Sequence, residues 1–354
     1  MKINIYVAVF GLVALILVIA ALSTLVFNKS STQSLSQANL SNYGPAPQIQ
    51  GIDGWINSPP LNLTQLRGKV VLIDFWTYSC INCIRTIPYL NSWYSEYGSN
   101  GLVIIGVSTP EFPFEHNYSN VANAVQRFGI KYPVALDNNY STWDAYDNHY
   151  WPADYLIDKN GNVRYVSFGE GDYNQTENAI RSLLIQANYT IPTNSSNPPE
   201  AVNFSQIETP EIYLGYARAR QPIGNAQGFQ HNSTVNYTIQ NISQPSLVYF
   251  EGPWYNAPDG MVATSNSSYL FLVYKARNLN IVASGNYSNI TLRLDNMNLS
   301  QDYLGSDTHL VDGQAQAQIG PSRLYDIINA PSYGWHELGI KASPGFKIYT
   351  FTFG

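Results

Sequence analysis

Hydrophobic positions along the chain fall into three regimes. From Ile5 to Phe27, "IYVAVFGLVALILVIAALSTLVF", there is no charge, and the run is long enough to cross a bilayer as a helix. A cleavable leader has an apolar stretch of about 7 to 15 residues. Residues 1–27 therefore read as an uncleaved transmembrane anchor, although "VIAALS" also offers a cleavage site. Lys2 precedes the span and Lys29 follows it, so flanking charge does not set its orientation. Residues 28–48 are rich in Ser, Asn and Gln without periodicity, as in a flexible linker. A second linker, "IPTNSSNPPEAVN", covers 191–203 and divides the remainder into domains at 49–190 and 204–354.

The pattern over 49–190 alternates between two periods. "GKVVLIDFW" and "LVIIGVS" are continuous apolar runs, the mark of strands buried on both faces. Between them "CIRTIPYLNSWYSEYG" has helical spacing and stops at Gly98. "NVANAVQRFG" predicts a second helix, "ADYLID" and "VRYVSFG" a hairpin around "KNG", and "TENAIRSLLIQA" a closing helix. This order predicts an α/β domain around a mixed, centrally parallel sheet. Over 204–354 the runs are short and rich in Tyr, Phe and Val: "SLVYFEG", "SYLFLVYKA", "LNIVASG", "ITLRLDN" and "FKIYTFTFG". Gly, Asn and Pro punctuate them, which predicts an all-β sandwich.

Composition narrows the setting. Only 12% of residues are charged, the net charge is −6 and no basic tract exists, so a nucleic-acid binder is excluded. Asn-x-Ser/Thr occurs sixteen times, roughly threefold more than chance placement of this composition gives. The expected location is the cell membrane, single-pass, with an N-glycosylated body outside the cell. Sparse charge also suits an acidic exterior, where carboxylates cease to ionise.

Against this background the only two cysteines, Cys80 and Cys83, stand in "WTYSCINCIRTIPYL", where a buried strand gives way to a helix. A zinc site needs two further ligands at suitable spacing, and the histidines form no paired pattern, so no metal is expected. A two-residue gap closes too small a loop for a structural disulfide to remove much chain entropy. A reversible dithiol remains. A cysteine at a helix N-terminus faces free N–H groups and the positive dipole end, which favours the thiolate. Cys80 is thus the expected nucleophile, and Cys83, one turn inside, the buried resolving thiol. Asp74 lies six residues before Cys80 on an apolar strand; a buried carboxyl there has a raised pKa and suits it to accept the Cys83 proton, the alternative being a strand-end carboxylate in solvent.

Residues 49–190 resemble the thioredoxin superfamily, specifically its TlpA/DipZ-type extracytoplasmic branch, through "LNLTQLRGKVVLIDFWTYSCINC", Pro88 and "YWPADYLIDKNGNV". The resemblance implies that Pro152 is a cis proline beside the disulfide, that Asp74 is the buried acid, and that Trp76 is the strand-end tryptophan. Ser79 stands where many members carry Trp. Substrate contacts would fall to Trp76, Ser79, Ile81, Asn82 and Trp151. Glu111 of "TPEF" matches an acidic residue near the disulfide, or is a solvated loop residue. "TPEIYLGYARAR" and the closing "FTFG" are similar to the carbohydrate-binding-module-like sandwich of DipZ-like proteins, in which Trp254, Tyr255 and Trp335 would be either a sugar-stacking platform or packing residues.

The function expected is a membrane-anchored thiol–disulfide oxidoreductase acting on protein thiols and disulfides. It needs no cofactor beyond the Cys80–Cys83 disulfide, and a separate membrane electron donor is implied. Two alternatives stand: a thiol peroxidase, since "TYSC" holds Thr-x-x-Cys though Asp74 replaces the proline such a site wants, and a glycan-binding surface protein with a redox scaffold.

Overall fold

Seven consecutive residues of β3, Val70–Trp76, are buried in the first half of the molecule. The computed structural model describes residues 40–192, 208–242 and 244–354. The expected anchor, residues 28–39 of the first linker and 193–203 of the second lie outside the described residues. Among the described residues no helix is long and apolar enough to cross a membrane.

The first half follows the alternation of the sequence. After β1 (Gly44–Pro45), β2 (Gly54–Ile56) and β3 come α1 (Ile81–Tyr97), β4 (Leu102–Ser108), α2 (Tyr118–Arg127) and β5 (Val134–Leu136). A single-turn α3 (Ser141–Ala145) precedes the hairpin of β6 (Ala153–Ile157) and β7 (Asn162–Phe168), and α4 (Tyr173–Gln186) closes the layer. Spatial order is β1-β7-β6-β3-β4-β5-β2, with β3, β4 and β5 parallel and the remaining pairs antiparallel. This is the mixed sheet of a thioredoxin-like α/β fold.

Even-numbered residues of β3 face one layer and odd-numbered residues the other, because side chains alternate across a strand. Val70, Leu72 and Trp76 join α1, α2 and α4 residues in one core. Val71, Ile73 and Phe75 join Trp143, Tyr146 and Tyr155 in another. Truncating a fully buried α1 residue such as Leu90 removes apolar contacts from the first core and costs about 2–5 kcal/mol.

The second half is all-β: β8 (Ile212–Tyr213), β9 (Thr234–Tyr237), β10 (Val248–Ala257), β11 (Gly260–Ala263), β12 (Ser268–Ser284), β13 (Ser288–Leu294), β14 (Met297–Asn298), β15 (His309–Val311), β16 (Gln314–Ile319), β17 (Arg323–Ala342) and β18 (Lys347–Phe353). They form one hydrogen-bonded network of eleven strands around one apolar core. "SYLFLVYKA" and "LNIVASG", which read as separate strands, are one strand, β12. Register shifts at Ala276/Asn278 and Leu279/Asn280 interrupt its alternation. A bulge of this kind bends the strand without ending it. Its long partner β17 carries Pro331 and Gly334, which break the periodicity that would have announced it.

The halves meet along an apolar seam. Ile81 and Ile84 of α1, with Phe112 and Phe114 from the loop after β4, pack against Tyr213, Val282, Leu324 and Tyr349. The seam sits beside the cysteines.

Candidate active site

Cys80 is the N-cap residue of α1: its backbone is extended, and its Sγ accepts the Cys83 N–H at 3.3 Å. The sulfur therefore satisfies one of the orphan donors of the helix start. The two thiols are not joined in this structure. Cys83, one turn inside, is 1% exposed and Cys80 8%. The order of exposure is the one expected, but both sulfurs are covered.

That cover changes the electrostatics. Sequence position favours a Cys80 thiolate; the structure instead pushes its pKa up, first by burial and then by the charges of Glu111 and Glu211, against the lowering effect of the Cys83 hydrogen bonds. The dipole argument assumed an exposed sulfur, and removal from water acts against it here. Burial raises Cys83 further, with Asp74 adding to the effect.

Beneath Cys83 the face of β3 is apolar apart from Asp74, which is 1% exposed and has no hydrogen-bond partner on either oxygen. Burial holds its carboxyl well above the usual range. Trp76 is equally buried, and its Nε1 is also unpartnered. A Cβ at Gly106 would lie 2.9 Å from Trp76 Nε1 and 3.2 Å from Tyr132, so the residue opposite Asp74 in β4 must be glycine.

Ser79 points away from solvent and donates to Glu115 Oε1. Glu115 Oε2 in turn accepts the N–H groups of Glu111 at 2.5 Å and Phe112 at 2.9 Å, fixing the "PEFPFEH" loop beside the dithiol. Glu111 is not a solvated loop residue. Its Oε1 lies 2.7 Å from the Tyr213 hydroxyl and 3.4 Å from Arg218 Nη2, and burial raises its pKa to about 7. The same hydroxyl reaches Glu211 Oε2 at 3.0 Å. Tyr213, Glu211 and Arg218 come from the all-β half, so that half completes the rim of the site. The Trp151–Pro152 peptide bond is cis, and Trp151 Nε1 donates to Thr109 O at 3.1 Å. Asn82 is half-buried on the first turn of α1, its carbonyl accepting from Thr86 Oγ1, while Ile81 belongs to the seam.

The structure thus gathers Cys80, Cys83, Asp74, Trp76, Ser79, Ile81 and Glu111 around one strand-to-helix turn. Four residues absent from the sequence reading join them: Glu115, Glu211, Tyr213 and Asp154, the cross-strand partner of Asp74. Asp154 alone carried a readable signal, being an acid inside the apolar run "ADYLI". The aromatic platform does not form: Trp254 is fully buried against Phe250 and Phe346, whereas Trp335 is exposed beside Lys275.

Comparison with known proteins agrees with this geometry. Residues 45–166 match the AhpC/TSA family, and residues 209–354 match the family described as "Thioredoxin like C-terminal domain". Protein DipZ of Mycobacterium bovis is 38% identical over 324 residues, covering 90% of this chain and 44% of that protein. The chain thus spans less than half the length of this relative. Thiol-disulfide oxidoreductase ResA of Geobacillus thermodenitrificans is 31% identical over 157 residues, 44% of this chain and 84% of ResA. Thiol-disulfide oxidoreductase YkuV of Bacillus subtilis is 25% identical over 142 residues, 40% of this chain and 95% of YkuV.

Proposed function

Because the chain belongs to the thioredoxin-like thiol–disulfide oxidoreductases, we propose that it is a membrane-tethered, outward-facing member that reduces or exchanges protein disulfides through Cys80 and Cys83. The observation that carries this reading is the Cys80 Sγ at the N-cap of α1, hydrogen-bonded to Cys83 N–H at 3.3 Å above the buried Asp74.

In the reducing direction Cys80, as thiolate, attacks one sulfur of the substrate disulfide; a Cys80–substrate bond forms and the first substrate thiolate leaves. Cys83 then gives its proton to Asp74 and attacks Cys80 Sγ, which expels the second substrate thiolate. Two electrons pass to the substrate, and the dithiol is left as a disulfide. In the oxidising direction the steps reverse, and about 30 mV of reduction potential shifts the balance by ~1.4 kcal/mol. Glu111, with a pKa near 7, is placed to exchange a proton at the Cys80 side. The cis Trp151–Pro152 segment offers backbone to an extended substrate.

The apolar run at Ile5 to Phe27 and the sixteen Asn-x-Ser/Thr sites support a tethered, glycosylated body outside the cell, with electrons arriving from a membrane donor. The all-β half, read as a sandwich, would meet glycans at a groove of about 350 Å³ lined by Tyr269, Phe271, Arg293, Glu337 and Lys341. A thiol peroxidase is the second reading, favoured by the AhpC/TSA match and by Thr77 buried three residues before Cys80. Peroxide consumption in the presence of a thiol donor distinguishes it.

Trapping tests the leading reading. With Cys83→Ser, Cys80 attacks but nothing resolves, so partner proteins accumulate as disulfide adducts on Cys80. No adduct under either oxidising or reducing conditions rejects the proposal.

A further inference from the structure

Within the reading of the chain as an oxidoreductase, the reaction needs a place for the Cys83 proton, and the structure offers more than one carboxyl. Asp74 and Asp154 are directly opposed across the antiparallel β3–β6 ladder. Residues so paired project from the same face with Cβ atoms about 4.5–5.5 Å apart. That face is the one under α1, as Leu72, Trp76 and Leu156, the even-numbered neighbours, all lie in the core containing Cys83. Asp154 is 7% exposed, and Oδ1 has no hydrogen-bond partner, as with both oxygens of Asp74.

Two neutral donors stand over the pair. Trp76 Nε1 and the Tyr132 hydroxyl are buried and unpartnered, and both rings converge on Gly106, which neighbours Asp74 in β4. From the surrounding elements the groups facing the pair are Cys83 of α1 and Tyr132 before β5; β4 offers Gly106 and β7 offers Ser167, neither titratable in this range. In α4, Glu177 and Arg181 are engaged with Tyr97. No cation therefore compensates the two carboxyls among the described residues that face them. Two like charges in one dry site cannot both persist, so such a pair holds a proton in common.

We propose that Asp74 and Asp154 act as one proton-sharing carboxyl pair beneath the dithiol, with Asp154 the positioning residue that sets the proton affinity of Asp74 as acceptor of the Cys83 proton. Burial raises both carboxyls, and Asp154 adds to the rise at Asp74, in agreement with that arrangement. The balance is complete: the Cys83 S–H bond breaks, its proton joins the pair, the Cys83 electron pair forms the new S–S bond, and the substrate thiolate leaves with the electrons of the old one.

The test uses the full chain in detergent with 13C-carboxyl aspartate, and Asp74→Asn and Asp154→Asn to assign signals. The expected result is two linked titrations, at least one well above the usual carboxylate range, with Asp154→Asn lowering the Asp74 midpoint by about one pH unit or more, a tenfold loss of proton affinity. In stopped flow with a chromogenic aryl disulfide, the first thiolate release reports Cys80 and the second reports Cys83. Asp154→Asn should slow the second phase about tenfold at neutral pH and shift its pH profile to the acid side, leaving the first phase unchanged. Asp154→Glu should restore much of the second phase. Ordinary, independent titration of both aspartates, or an Asp74 midpoint unmoved by Asp154→Asn, overturns the pair. Absence of the first phase instead overturns the oxidoreductase reading, and the titration still decides the pair.

Discussion

Glu115 shows how much one side chain contributes to this site. It is 1% exposed, accepts from Ser79 Oγ and from the N–H groups of Glu111 and Phe112, and ties the active-site turn to the loop that carries Glu111. Glu115→Ala leaves those donors buried without an acceptor, and each orphaned group costs about 1–3 kcal/mol. We expect a clear drop in the urea midpoint together with loss of dithiol activity; an unchanged midpoint would show that the contacts are dispensable. At this scale the sequence was partly legible. Cys80, Cys83 and Asp74 stand within ten positions of each other, where strand and helix periods meet. Glu115, Glu211 and Tyr213 were not, because their roles arise from loops and strands that only the fold brings to the cysteines. The acidity expected of Cys80 is opposed by its burial, which a local argument about the helix start could not include.

Among the elements, those legible in sequence were buried on both faces or had marked ends. Val70–Trp76, apart from Asp74, and Leu102–Ser108 are nearly continuous apolar strands, and α1 is capped by Cys80 and Gly98. β1, β2, β5 and α3 are too short to display a period. β12 and β17 were obscured by bulges, a proline and a glycine within long strands. The contact of the loop after β4 with β18 carries a prediction. Tyr349 packs edge-on against Phe114 with ring centroids 5.0 Å apart, and at 5.5 Å from Phe112. Tyr349→Ala opens this seam and lets water reach Cys80, so the burial that raises its pKa weakens. Alkylation of Cys80 by iodoacetamide should quicken several-fold, with its pH midpoint moving to the acid side. An unchanged alkylation profile would mean that other residues provide the cover.

For the whole molecule the informative feature is a population of buried acids. Asp74, Asp154, Glu111, Glu115 and Glu211 all have raised pKa values through burial, Glu111 to about 7. A carboxyl whose folded pKa exceeds its unfolded value near 4 contributes stability that is complete below that value and lost as pH rises through the folded pKa. The sign is therefore acid-stabilising between about pH 4 and 7. Thermal melts should show a higher midpoint at pH 5 than at pH 8, and Asp74→Asn combined with Asp154→Asn should flatten the difference. A higher midpoint at pH 8 in the parent chain would contradict this balance.

The seam over α1 has a further consequence for traffic in electrons. Cys80 is buried next to the seam in which its neighbour Ile81 packs with Tyr213, Val282, Leu324 and Tyr349, and on the proposed reading that burial insulates its sulfur from small oxidants and stray thiols diffusing past. If the shelter is open in one molecule of a hundred, every indiscriminate encounter is slowed about a hundredfold. On that reading, only a partner able to spend binding energy on opening the seam would escape that penalty. On the proposed reading, the surface that suppresses leakage would also select the client.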